Sequence, residues 1–194
     1  MDKIRLEEEG KMEKHINAPI DEEVVKTLEA GDFVYISGTI YTARDAAHKR
    51  MYESMLDHKE IPIDLKNNII YYLGPTPARE GQVIGSAGPT TSSRMDKYTP
   101  LMLKNGLKGM IGKGKRSEEV IKAMQKEGAV YFAAIGGAGA LLSKCITKAE
   151  VIAYDDLGTE AIRKLEVKDL PVIVVIDSKG NNLYEEASKK YRNI

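Results

Sequence analysis

Tryptophan is absent from this 194-residue sequence, phenylalanine occurs twice and cysteine once, at Cys145. A single thiol forms no intrachain disulfide and makes no metal site of its own, which argues for a reducing, intracellular setting. No apolar run approaches the roughly 20 residues that a membrane-spanning helix needs. Net charge is missing too. The 29 basic and 29 acidic residues cancel, which leaves no broad field to attract nucleic acid or an anionic membrane. An anion must therefore be held by a local cluster of charges. The opening stretch MDKIRLEEEGKMEKH lacks an apolar signal core and is too acidic for a transit peptide, so the expected location is the cytoplasm. Scarce glutamine beside abundant lysine and glutamate is a composition found in thermophiles.

What is present suits one domain. The length is that of a single unit, and 42% apolar residues can fill a core. Residues 1–17 are charged without an apolar face and read as a leader; no linker divides 18–194. Asp21 opens a helix over 21–29 that Gly31 closes. FVYISGTIY (33–41) is a strand, and Thr42 with Asp45 forms a capping box for a helix over 43–57 whose buried stripe is Ala47, Met51 and Met55. Strands are expected at 69–73 and 81–88, with a helix from about 91 to 104. In the second half, strand 107–111 leads to a helix capped by Ser117. Strand 129–135 leads to a Gly-rich turn and a short helix, strand 149–154 follows, and 161–168 fits helix or strand. PVIVVID (171–177) is a buried strand, with SKGNN turning into 182–185. Alternating strands and helices argue for an α/β fold with a parallel core and some antiparallel pairing at its ends.

Four stretches carry candidate chemistry. GPTTSSRMD (88–96) sets four hydroxyls at an expected helix start, where unpaired N–H groups attract anions, and Arg94 adds a planar donor fork suited to carboxylate. In YTARDAAHKR (41–50), Arg44 occupies a first helical turn that disfavours cations, a placement suited to facing an anion; pairing with Asp45 or extension into water also accounts for it. His48 lies one turn further on and reads as a structural histidine. GMIGKGKRS (109–117) ends a strand in a Gly-Lys-Gly loop around Lys113, where glycines let the backbone come close to a ligand. IGGAGALL (135–142), with Asp155 and Asp156 after the next strand, imitates a dinucleotide fingerprint. Leu142 stands at its third glycine position, so a tight strand-to-helix turn is the better reading. Taken singly, each stretch has an ordinary structural explanation.

Together they resemble the C-terminal or β part of the iron–sulfur (class I) fumarate hydratases and the related L-tartrate dehydratases. The resemblance spans about residues 16–186. It rests on SGTIYTARDAAHKRM (37–51), GPTTSSRMD (88–96), MIGKGKRS (110–117), AIGGAGA (134–140) and the tail DLGTEAIRKLEVKDLPVIVVIDSKGNNLY (156–184), in that order. It implies a swivelling β/β/α three-layer domain with a central parallel sheet, a second antiparallel layer, and helices on the other face. It implies that Arg44, Arg94 and Lys113 bind substrate carboxylate and that Thr90 takes part in proton transfer. It further implies a four-iron, four-sulfur cluster held by three cysteines of a partner alpha subunit, since Cys145 alone cannot hold one. The implied whole is a hetero-oligomer acting on malate and fumarate. L-Tartrate dehydration is the alternative, and a non-catalytic anion- or nucleotide-binding module is a third reading, supported by the Gly-rich turn and Asp155.

Overall fold

The computed structural model describes residues 13–134 and 139–186. Among them, seven strands form one sheet in the order β1-β2-β3-β4-β5-β7-β6. The strands are β1 (Glu13–Ala18), β2 (Phe33–Thr42), β3 (Ile69–Tyr71), β4 (Gly109–Gly112), β5 (Val130–Ala134), β6 (Ile146–Ala153) and β7 (Ile162–Ile176). The first five run parallel. The long β7 lies antiparallel to β5, β6 and β2, and its pairing with β2 closes β2, β3, β4, β5 and β7 into a ring. The fold is thus mixed α/β around a central sheet.

Side-chain alternation explains why the parallel strands read as unbroken apolar runs, since both faces are covered. In the IIYYL run, Ile69 and Tyr71 enter one cluster with Ile36, Phe132, Leu165 and Val174. Ile70 and Tyr72 enter the other, with Met51, Met102, Met124 and Tyr131. That second cluster is roofed by helices α2 (Asp45–Leu56), α3 (Thr99–Lys104) and α4 (Glu118–Glu127). The described residues also include a short α1 (Glu22–Lys26) and α5 (Gly139–Lys144). Local signals behave as their chemistry requires. Asp21 caps α1 by accepting from the Val24 N–H at 2.9 Å. Ser117 caps α4 by accepting from Val120 N–H, and Gly128 ends α4 in the left-handed conformation at φ 62°. No described helix is long and apolar enough to cross a membrane.

Several expectations need correction. Residues 13–17, assigned to a charged leader, belong to β1, where each pairs in register with β2; backbone pairing to a neighbour outweighs a side-chain pattern that shows no buried face. Thr42 does not cap α2. It is the last residue of β2, and its buried hydroxyl accepts from the Arg163 N–H at 3.0 Å, leaving Arg44 at the cap position without a side-chain bond. The 81–88 stretch is not a strand. It folds back on 75–78, with Ser86 N–H donating to Thr76 Oγ1 at 2.9 Å, and a Cβ on Gly85 would lie 2.1 Å from the Thr76 carbonyl oxygen. The helix expected over 91–104 divides into a 3-10 turn at Ser92–Met95 and then α3. The ambiguous 161–168 is the first half of β7, and the segment after the SKGNN turn is helical at 183–186, making only a bridge from Asn182 to Ile176. The Gly-rich turn at 135–138 lies outside the described residues.

His48 is the structural histidine its sequence position suggests. It is fully buried in α2, against Tyr72 and Tyr98, and its Nδ1 lies 3.0 Å from the Arg44 carbonyl oxygen. Burial pushes its pKa down to about 4. The depressed value fixes the sign of its pH effect. Between about pH 6.5 and 4 the unfolded chain binds a proton that the folded chain refuses, so stability is intact above pH 6.5 and falls as the solution is acidified. The full difference is on the order of 3 kcal/mol. His48→Gln is expected to flatten the fall of the urea midpoint across this window, whatever it does to stability at pH 8. Parallel curves for the two proteins would mean that His48 is not held neutral.

Candidate functional site

The site lies where three adjacent parallel strands end. Arg44 follows β2, the hydroxyl loop returns beside the end of β3, and Lys113 follows β4. Thr90 N–H donates to the Tyr72 carbonyl at 2.8 Å, just beyond β3. Thr91 bridges Lys113 in parallel fashion, with Ser92 N–H donating to the Lys113 carbonyl at 2.9 Å and Lys113 N–H to the Thr90 carbonyl at 3.3 Å. The hydroxyl loop therefore extends the sheet as one more rung beside the lysine loop. The carboxyl ends of strands are where α/β folds ordinarily build sites.

Two glycines allow this packing. A Cβ on Gly112 would stand 2.0 Å from Ser92 Oγ, and one on Gly74 would stand 2.5 Å from Arg44 Nη1. Gly112 thus serves close approach of the hydroxyl loop, and Gly74 lets the Arg44 side chain lie across the end of β3. Below them sits Arg116, whose side chain has no exposure to solvent. Its Nε donates to Asp96 Oδ1 at 2.7 Å and its Nη2 to Thr99 Oγ1 at 2.8 Å; Nη1 reaches the Tyr72 hydroxyl at 3.3 Å. Asp96 Oδ2 accepts from Ser117 N–H at 2.7 Å. The Tyr131 hydroxyl donates to the Gly114 carbonyl at 2.9 Å and lies 2.9 Å from Ser92 Oγ, from which it accepts. Burial holds that tyrosine proton well above the ordinary phenol range. Arg116, Asp96 and Tyr131 thus bolt the two loops together from beneath.

On the outer face, Arg94 is exposed, and its Nε donates to Asp45 Oδ1 at 2.7 Å. Arg44 Nε lies 3.2 Å from Glu160 Oε1 and 3.6 Å from Asp45 Oδ2. Lys113 is exposed and Thr90 half-buried. All four residues singled out from sequence therefore share one surface: Arg44 and Arg94 through Asp45, Thr90 and Lys113 through their backbones. Arg44 and Arg94 face the carboxylates Asp45 and Glu160, and Lys113 on the paired loop adds one further cation. A cavity of about 510 Å³, walled by Pro75, Thr76, Val83, Gly158 and Arg163 among others, is lined by none of Arg44, Thr90, Arg94 and Lys113.

Sequence reasoning passed over Asp45 as a binding-surface residue, and Glu160, Asp96 and Arg116 altogether. Asp45 carried a signal, an Arg-Asp pair at a helix start. Glu160 carried none, being 116 positions from Arg44 along the chain. The dinucleotide-like reading loses one of its carboxylates, because Asp156 forms a two-pronged pair with Arg50 at 2.8 and 2.7 Å. The described residues contain no group of three or more His, Cys, Asp or Glu side chains able to hold a metal ion. With one cysteine in the whole sequence, a cluster that requires three does not fit this chain.

Cationic and hydroxyl side chains at parallel strand ends make a surface chemically suited to a small anion. The sequence specifies more. The pattern of the family described as Fumarase C-terminus matches residues 2–187, and the chain belongs to that family, which includes the class I fumarase and tartrate dehydratase beta proteins. A Methanocaldococcus jannaschii protein provisionally named L(+)-tartrate dehydratase subunit beta is 41% identical over 172 residues, covering 86% of this chain and 88% of its own. Fumarate hydratase 2 of Leishmania major is 38% identical over 175 residues, and the anaerobic class I fumarate hydratase of Escherichia coli 41% over 157. Those matches cover 88% and 80% of this chain but 31% and 29% of the fumarate hydratases.

The buried pair beneath the site makes a direct prediction. Arg116→Met leaves Asp96 without its charged partner and should cost about 3 kcal/mol of stability or more in urea unfolding. Adding Asp96→Asn should restore part of that loss, because the uncompensated charge is then gone. A single variant within about 0.5 kcal/mol of wild type would show that the loops are held by other contacts.

Proposed function

We propose that this chain is the beta subunit of a two-subunit iron–sulfur hydro-lyase that interconverts fumarate and L-malate in the cytoplasm. The observation that carries the reading is the meeting of Arg44, Arg94, Lys113 and Thr90 at three adjacent strand ends in a chain of this family. A divided enzyme is supported by the 41% identical relative that is itself named as a beta subunit. The four-iron, four-sulfur cluster is assigned to a cluster-bearing alpha subunit. The antiparallel β6–β7 pair beside the parallel strands supports reading the fold as the swivelling three-layer domain.

The chemistry assigned to this chain follows from charge. Removing a proton from the carbon beside a carboxylate drives negative charge onto that carboxylate. Donors fixed in advance by Arg44, Arg94 and Lys113 stabilise the charged state more than the ground state. Thr90 takes part in moving the proton, and a hydroxyl does so only when a neighbour activates it. Tartrate dehydration is the second reading, favoured by the name of the Methanocaldococcus relative and its 41% identity.

The test is anaerobic reconstitution with the cluster-bearing subunit and an assay on malate, fumarate and tartrate. Arg94→Lys keeps a charge but loses the planar fork, and should lower kcat/KM by roughly 30-fold to 1,000-fold, equivalent to about 2–4 kcal/mol. Thr90→Ser should retain part of the activity and Thr90→Val almost none. Wild-type kcat/KM for both Arg94→Lys and Thr90→Val, at full cluster loading, would overturn the site.

A further inference from the structure

Arg94 is exposed, with half of its side chain open to solvent, and an exposed arginine ordinarily samples many orientations. Here Asp45 restrains it at the inner edge. The carboxylate engages Nε, at 2.7 Å, and among the described residues that is the hydrogen bond the Arg94 side chain makes. The two terminal nitrogens, which can form a fork for a carboxylate, make no hydrogen bond among the described residues. The other oxygen, Asp45 Oδ2, is buried and accepts no hydrogen bond; it stands 3.6 Å from Arg44 Nε, itself buried and without one. Asp45 is the first residue of α2, so its backbone is fixed by the helix and its charge sits favourably at the helix start. Asp45 therefore bonds Arg94 and stands beside Arg44, whose Nε lies nearer to Glu160 Oε1, at 3.2 Å.

We propose that Asp45 is a positioning residue: it grips Arg94 by Nε and so aims that guanidinium fork, beside Arg44, at one carboxylate of a dicarboxylate substrate. The inference rests on the hydro-lyase reading for its substrate, but the grip itself does not depend on that reading. It also separates two roles with opposite signs. If Asp45 were only a counter-charge, Asp45→Asn would make the patch more positive and tighten binding of a dianion. If Asp45 positions Arg94, the same change frees the fork and weakens binding even though the patch gains positive charge.

Two measurements test it. In the assembled enzyme, Asp45→Asn should raise KM and lower kcat/KM about 10-fold or more. In an Arg94→Lys background it should have little further effect, because the fork it orients is already gone. A lowered KM, or losses that add in full, would overturn the proposal. In the full chain without its partner, the Arg94 Nε–H resonance should be protected from solvent exchange in wild type and exchange rapidly in Asp45→Asn, with the melting curve reported beside it to exclude unfolding. An equally exchanging Nε–H in both proteins would overturn the grip. If the wild-type complex turns over neither fumarate nor tartrate, the hydro-lyase reading falls, and the exchange measurement alone decides whether Asp45 holds Arg94.

Discussion

A fully buried guanidinium must find a partner for nearly every N–H, because its charge is costly in a low-dielectric interior. Arg116 meets that demand with Asp96, Thr99 and the Tyr72 hydroxyl, and it lies over the Tyr72 and Tyr131 rings at 5.4 and 5.1 Å. Each partner comes from a different part of the chain: the hydroxyl loop, α3, the end of β3 and β5. Satisfying one side chain thus fixes four segments at once. Nothing apolar of similar volume would do so, since dispersion has no direction. The geometry of the surface above follows, because Thr90 and Lys113 are rungs on the same local ladder.

The outer face repeats the device in milder form. Asp45 and Glu160 sit beside arginine Nε atoms, in a region where water screens part of the attraction. Such pairs contribute little to stability. Their effect is on direction, because a guanidinium held by Nε presents its other edge. Gly74 belongs to the same arrangement, since any larger residue would push Arg44 off the strand end. The site is layered: a buried, fully satisfied ion pair below, half-buried carboxylates at mid-depth, and free donor edges at the surface.

Much of this was legible in the sequence, and the parts that were not share a cause. Strands β2, β3, β4 and β5, Asp21 and Ser117 as caps, and the structural role of His48 all follow from local chemistry, and local chemistry is written contiguously. The failures came where a distant partner claimed a local group. Thr42 looked like a cap because Asp45 stands three residues on, but β7 takes its hydroxyl. The 81–88 run looked like a strand, but Thr76 takes its backbone donor. Arg44, Thr90, Arg94 and Lys113 were singled out because their motifs, taken together and in order, resemble a known family. Asp96 stood in plain view inside one of those motifs, yet its use depends on Arg116, 20 residues away, and no periodicity reports that distance.

An open, cationic surface of this kind has a built-in threshold. Arg94 and Lys113 face solvent, where a carboxylate gains little from them: at an effective dielectric near that of water, opposite charges 4 Å apart attract by only about 1 kcal/mol. Water competes for the same donors, and salt screens what remains. Covering the surface changes the arithmetic without moving any residue of this chain, since excluding water raises each contact toward its low-dielectric strength. A chain built this way can be completely folded, with Asp45 and Glu160 beside its arginines, and would hold a small anion only weakly while its surface stays open. Under the proposed hydro-lyase function, folding would settle orientation and closure would supply strength, the division that a catalytic surface shared between two chains requires.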